Sequence, residues 1–302
     1  MRVGATYVKL GQLDDALASF QRALTLDPTS HDALRWIAML HTSQGRFDEA
    51  IAVYERLIVA DSSDRFVIST LADLYERQGR LDEAIELYER LAADHGPSAP
   101  LHFNLGVLYG RRGEPKEAIQ HLSRAVELAP QSSEVYMALG LTYELDHQLD
   151  RAAAAYEEAI RLEPLNPRLY YHAARVYTYL ERVEEGTRLY RRILELVPTD
   201  IDAVAGLARL LMLDGRYDQT QALLAKQFAV VGEQAELYLM LGILYREVDS
   251  PHDALRAFER AVLLQDAAPA AHFYLGAQLE RLKQEPEARQ ELRRAITLDA
   301  DY

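Results

Sequence analysis

The sequence predicts an all-α chain built as an array of helix hairpins, and three observations predict it. A block of 34 residues recurs from His31 to Tyr302 with no insertion or deletion. Each block holds two helix-length stretches whose apolar residues return every three or four positions, the stripe of a half-buried helix. No stretch keeps the sustained alternation of a strand.

The period is legible in three segments: QGRFDEAIAVYERLI from Gln44, QGRLDEAIELYERLA from Gln78 and RGEPKEAIQHLSRAV from Arg112, each 34 residues after the last. The units span 31–64, 65–98, 99–132, 133–166, 167–200, 201–234, 235–268 and 269–302, and residues 1–30 are the same unit without its first four positions. That makes nine repeats in a single array over 1–302.

Within a unit numbered 1–34, each element has a local reason. The first helix has apolar residues at positions 4, 7, 8 and 11, and position 8 is Gly or Ala in all nine units, from Gly4 and Ala38 to Gly242 and Gly276. A side chain that small marks a close helix crossing. Position 15 is Gly in five units, where a turn can use positive φ. The second helix opens near position 17 or 18, where Pro115, Pro251 and Pro286 fall and a missing N–H costs least. The carboxylate pairs Asp48/Glu49 and Asp82/Glu83 stand there too, at the positive end of the helix dipole. Along that helix, position 20 is Ala in seven units, with Gly186 and Thr220 as the exceptions, and position 24 is always large and apolar or aromatic. Pro28, Pro130, Pro164 and Pro198 at position 32 stop it.

The spacing of Leu105, Gly106, Tyr109, Gly113, Ala118, Leu122, Ala125 and Pro130 resembles the tetratricopeptide repeat, over the whole chain. The resemblance implies a right-handed α-solenoid, a superhelix of stacked antiparallel helix hairpins, with the first helices lining a concave groove. It also implies a non-catalytic scaffold that binds a peptide segment or helix of a partner.

Composition excludes several other classes. With 33 Lys plus Arg against 47 Asp plus Glu, the net charge of −14 argues against nucleic acid, whose phosphates must be neutralised by cations. No Cys is present, which removes disulfides, thiol catalysis and cysteine-ligated metals. The nine His carry no metal-ligand spacing, and no phosphate-binding loop or nucleophile elbow occurs. Thirteen of the 18 Tyr fall at positions 4, 11 or 24, where they pack between helices. No catalytic residue, metal site or cofactor is expected. Membrane insertion is not expected either, since no apolar run approaches a span. The expected location is the cytoplasm, although an absent signal peptide says little for a chain that begins at position 5 of a unit.

If the family geometry holds, positions 2, 5, 9 and 12 face the groove, with 6 and 13 at its edge. The candidate peptide-binding residues are therefore Arg35, Trp36, Met39, Phe103, Asn104, Val107, Met137, Leu141, Tyr171, Arg175, Arg209, Leu239, Ile243 and Phe273. Apolar residues without a packing duty suggest a surface awaiting a ligand. Arg175 and Arg209, one repeat apart at position 9, suggest a carboxylate or acidic side chain on that ligand. Both readings have rivals: contacts to the next repeat, and pairing of the arginines with neighbouring acids. Trp36 suits either a groove-edge anchor or packing between repeats. Two variants of the family are not implied. The full repeats have no inner Lys, which the chaperone-tail clamp needs, and position 6 offers Asn104 alone in place of the Asn ladder of a glycosyltransferase arm.

Three further expectations follow. Stacked repeats are stabilised by their neighbours and normally need capping ends, so the chain is expected to be an excerpt of a longer protein, or to have its ends covered by a partner or a second copy through end-to-end self-association. The repeat 201–234, with Thr220, Gln227 and Gly232 at atypical positions, is either a drifted unit or a softer joint. The rival function is the recognition arm of a larger enzyme, such as a bacterial glycosyltransferase or sulfotransferase.

Overall fold

A computed structural model describes residues 1–61 and 64–299 of the chain. Its helices, in order, are α1 (Arg2–Lys9), α2 (Leu13–Leu26), α3 (His31–Ser43), α4 (Phe47–Ala60), α5 (Arg65–Arg77), α6 (Leu81–His95), α7 (Ala99–Arg112), α8 (Pro115–Leu128), α9 (Ser133–Leu145), α10 (Leu149–Leu162), α11 (Pro167–Tyr179), α12 (Val183–Leu196), α13 (Ile201–Leu213), α14 (Tyr217–Val231), α15 (Ala235–Glu247), α16 (Pro251–Leu264), α17 (Pro269–Arg281) and α18 (Glu285–Leu298). No strand occurs among the described residues. The architecture is a solenoid-like array of antiparallel helix hairpins. Residues 300–302, the end of the last predicted repeat, lie outside the described residues.

The chain divides into two compact units, Met1–His147 with α1 to α9 and Gln148–Tyr302 with α10 to α18. Local chemistry explains where the helices start and stop. Position 34 caps the following first helix: Asp64 accepts from the backbone N–H groups of Phe66 and Val67 at 3.1 and 3.3 Å, and Asp200 from that of Ala203 at 2.9 Å. Asn166 and Ser132 occupy the same place before α11 and α9.

The tight turn between the two helices of a unit uses left-handed backbone at position 15 in every unit. Gly11, Gly45, Gly79, Gly113 and Gly215 adopt it freely, but His147, Glu181, Asp249 and Lys283 adopt it too, at φ of 53–62°. Packing of the flanking helices therefore holds this conformation even where a Cβ makes it unfavourable.

Small residues at positions 8 and 20 bring the helices of a hairpin together. In the first unit, Ala38, Ala50, Tyr54, Leu57, Ile68, Leu71, Leu105 and Leu108 form one continuous core. In the second, Phe258 is fully buried among Ala254, Leu275 and Leu279. Each Leu, Ile or Phe side chain so buried contributes about 1.5–3 kcal/mol. The approach is closest at Gly242, where a Cβ would lie 2.4 Å from Cε1 of Phe258.

The atypical repeat 201–234 folds as a hairpin like the rest. Thr220 is fully buried and donates its hydroxyl to the Arg216 carbonyl at 3.2 Å, and the buried Gln227 amide donates to the Pro198 carbonyl at 3.2 Å. Gln221 is exposed at position 21, where Leu17, Ile51 and Ile85 are buried in other repeats. At the same repeat a cleft of about 540 Å³ lies between α12, α13 and α14, lined by Leu194, Leu207, Leu211 and Leu223.

Candidate functional site

The first helices make three recurring kinds of contact, and these decide which candidate side chains are taken up by packing. The first joins position 24 of one repeat to position 6 of the next. The Phe20 and Trp36 rings stack with centroids 5.5 Å apart, Tyr156 and His172 at 5.3 Å, and Phe258 and Tyr274 at 5.7 Å. The Asn104 amide likewise donates to the Tyr88 hydroxyl at 3.1 Å. Trp36 thus packs between repeats. The second contact joins position 5 to the capping position 34: Arg35 forms an ion pair with Asp64, and the Tyr171 hydroxyl donates to Asp200. In the third, a position-11 hydroxyl donates to a Glu of the preceding repeat, as Tyr75 does to Glu55 at 2.6 Å and Tyr109 to Glu89. The Arg80 and Arg112 guanidiniums lie over those two rings. Burial and the carboxylate partner push both phenols up to about 12.

What these contacts leave open is smaller than the candidate list. In the first unit, Met39 is 42% exposed and Leu141 is 36% exposed, while Phe103, Val107 and Met137 are half-buried. Asn104 lines a cavity of about 330 Å³ together with Arg65, Ser69 and Tyr88. Beside it, the Asp73 carboxyl accepts from Tyr88 at 3.3 Å and is held above the usual carboxylate range, chiefly by burial. In the second unit, Leu239 and Ile243 pack against the buried cluster around Phe258 and Leu275, so packing claims much of their surface. Phe273 stays 37% exposed, its ring edge-on to Tyr274.

Three of the candidates come together. Tyr171, Arg175 and Arg209 line one cavity of about 330 Å³, along with His172, Thr178, Tyr179 and Tyr190. Arg175 and Arg209 are exposed at the same position of α11 and α13. Arg209 forms no ion pair among the described residues. Tyr190, from α12, supplies the floor. It leans on Gly206 of α13, where a Cβ would lie 2.4 Å from Cε1 and Cζ of the ring. Burial raises the Tyr190 phenol, and burial with the Asp200 hydrogen bond raises Tyr171 far above its ordinary range.

The sequence pattern did not mark Tyr190, because position 24 faces the core in other repeats. The signal available was Gly206 itself, the only glycine at position 6. Among the described residues, no group of three or more His, Cys, Asp or Glu is placed to hold a metal ion. No helix among them is long and apolar enough to cross a membrane.

The comparisons with known proteins agree with this architecture. The family model described as the Cilia and flagella-associated protein 70 C-terminal domain, a tetratricopeptide-repeat model, matches residues 53–301, and one described as Tetratricopeptide repeat matches residues 4–65. The chain belongs to the tetratricopeptide-repeat family. No curated protein matches it. Among solved structures it is similar to MamA, at 28% identity and a TM-score of 0.51, over 53% of this chain and 94% of that one. It is also similar to the C-terminal part of a TPR repeat-containing protein from Cytophaga hutchinsonii, at 18% identity and a TM-score of 0.66, over 80% of this chain and 99% of that one. A third is YrrB, described as a TPR protein with an unusual peptide-binding site, at 22% identity and a TM-score of 0.52, over 62% and 96% of the two chains. The chain is a repeat protein with the fold typical of protein–protein interaction scaffolds.

Proposed function

We propose that the first-helix face holds a segment of a partner protein, extended or helical, and that the chain does so in the cytoplasm. Exposed or half-buried Met39, Phe103, Val107, Met137, Leu141 and Phe273 supply apolar contacts, each within its own unit. Arg175 and Arg209 receive an acidic group of the ligand. One observation carries the reading: the cavity between α11 and α13 gathers both guanidiniums, with Arg209 in no ion pair among the described residues, in a chain whose net charge is −14. Most arginines of this protein that appear in ion pairs sit beside a carboxylate one turn or one repeat away, as Arg182 does with Glu185 and Arg281 with Asp249. A position where that partner is missing suits a carboxylate brought by another molecule. The description of YrrB as a peptide binder is consistent with the same use of the fold.

The test is selection of peptides from a random library on the full chain, followed by affinity measurement on the Arg175→Glu, Arg209→Glu double variant. Selected peptides should carry an acidic residue, and the double variant should keep its helicity and lose at least tenfold in affinity. Unchanged affinity would refute the role of the pair.

End-to-end self-association is a second reading, favoured by Val3 and Ile296, which are 62% and 54% exposed on α1 and α18. A mass independent of concentration in light scattering would remove it.

A further inference from the structure

We propose that the cleft between α12, α13 and α14 docks an acidic amphipathic helix of a partner protein, on a surface separate from the first-helix face. The cleft has a volume of about 540 Å³ and lies wholly within the second unit.

Its lining has the periodicity of a seat for a helix. One wall is Arg191, Leu194 and Glu195 of α12, and the other is Gln219, Ala222, Leu223 and Lys226 of α14. Both follow i, i+3, i+4 spacing, and the second runs on to i+7, so each wall is one face of its helix. Leu207 and Leu211, four apart on α13, lie between them as a buried floor. Two ridges over an apolar floor accept the side-chain ridge of a third helix, along roughly 10 Å of α14. Leu194 and Leu223 are only half-buried, so both keep surface to offer such a helix.

The repeat register explains why this cleft is apolar and basic. At three other seams a Tyr at position 11 donates to a Glu at position 25 of the preceding repeat: Tyr75 to Glu55, Tyr109 to Glu89 and Tyr177 to Glu157. Here the same two positions hold Leu211 and Arg191, and both line the cleft. An aliphatic side chain replaces the phenol, and a cation replaces the carboxylate.

Charge then selects the occupant. Arg191 donates to the neutral Gln219 amide oxygen at 3.3 Å, from one wall to the other. Neither Arg191 nor Lys226 forms an ion pair among the described residues. Glu195, the acid on the α12 wall, is bound to Arg192 at 2.8 Å, and Glu184, whose carboxyl Arg191 also helps to lower, is bound by Arg216. The groove one repeat earlier, lined by Glu157, Arg188, Arg192 and Glu195, balances its charges. A helix that turns large apolar residues to the floor, with Glu or Asp beside them, meets both cations of this cleft.

Fluorescence anisotropy of the full chain tests this with two designed helical peptides that share one stripe of Leu, flanked by Glu in one and by Lys in the other. The Glu peptide should bind at least tenfold more tightly, against a net charge of −14 that favours the Lys peptide. Arg191→Glu with Lys226→Glu, both at exposed positions, should keep the helicity and reverse that order. Ala222→Trp, at an exposed position of the α14 wall, should weaken the Glu peptide at least tenfold. Arg175→Glu with Arg209→Glu should leave its affinity unchanged at physiological salt. Equal or tighter binding of the Lys peptide to the unsubstituted chain overturns the proposal, as does an order that survives the charge reversal. Loss of the Glu peptide on substitution of Arg175 and Arg209 places the helix on the first-helix face, which overturns this surface and leaves the earlier reading standing. Dodecanoate bound at the cleft as tightly as the Glu peptide overturns the helix in favour of a free amphiphile. Self-association of the chain that Ala222→Trp abolishes overturns it in favour of a second copy.

Discussion

Replacing Gly242 with alanine tests the packing logic of the array at a tight crossing within one hairpin. Alanine favours helix over glycine by about 1 kcal/mol, so helix propensity alone predicts a more stable protein. The geometry predicts the opposite. The added Cβ would sit 2.4, 2.5 and 2.8 Å from Cε1, Cδ1 and Cζ of Phe258, whereas carbon atoms in normal contact are about 3.5–4.0 Å apart. The ring must retreat by about 1 Å, and it is fully buried, with Ala254, Leu275 and Leu279 around it. Overpacking of this kind costs about 1–3 kcal/mol. After the propensity gain, the expected net loss is about 1 kcal/mol, with 2 kcal/mol as the upper end.

Unfolding of a long repeat array is not a single transition, so the loss is best read locally, by hydrogen exchange of α15 and α16. Their slowest amides should exchange roughly five- to thirtyfold faster. In the repeat 201–234, Ala208 at position 8 stands with the smaller Leu224 at position 24, both buried. Gly242→Ala combined with Phe258→Leu should therefore recover part of the loss, a favourable coupling in a double-mutant cycle. Equal or slower exchange in the single variant refutes the argument, because it would mean that the crossing has slack.

Two other outcomes follow from the same structure. His102 and His121 face each other through their Nδ1 atoms at 3.0 Å, with Tyr109 stacked on His121. Burial lowers both below the ordinary imidazole value of about 6.5; Arg124 lowers His102 further, the His102 charge lowers His121, and Glu89 opposes this. The folded hairpin thus takes up fewer protons than the unfolded chain just below pH 6.5, so its stability is full above that value and falls as pH drops through the folded values. Exchange protection of α7 and α8 should weaken on acidification, and His121→Gln should flatten that slope; an equal slope in the variant sinks the assignment. At the turn, Gly79 has φ of 74° with no atom within 4 Å of a built Cβ. Gly79→Ala should cost roughly 1–2 kcal/mol from backbone strain alone, read as faster exchange in α5 and α6; unchanged exchange refutes it.

Much of the fold is legible in the residues because its causes are local. The 34-residue period, the capping acids before α5 and α13, and the prolines opening α8 and α16 act within a few positions of themselves. The candidate site was legible in part. Tyr171, Arg175 and Arg209 stand out because their columns do not follow the repeat, and they do share a cavity. Arg35 and Leu239 meet the same criterion, yet one is committed to Asp64 and the other to a buried cluster. Column variation marks freedom from the repeat's rule. It does not reveal which neighbour takes up that freedom.

The amino-acid order by itself determined that this protein is a chain of helix hairpins, since hydrophobic period, turn residues and caps all act along the backbone. Only the tertiary structure decided which side chains gather around the cavity between α11 and α13. Tyr190 belongs by position to the core, and it reaches the cavity because Gly206, 16 residues later in the chain, presents bare backbone on the adjoining helix. That contact depends on how two helices cross, and the crossing is set jointly by all the residues packed between them.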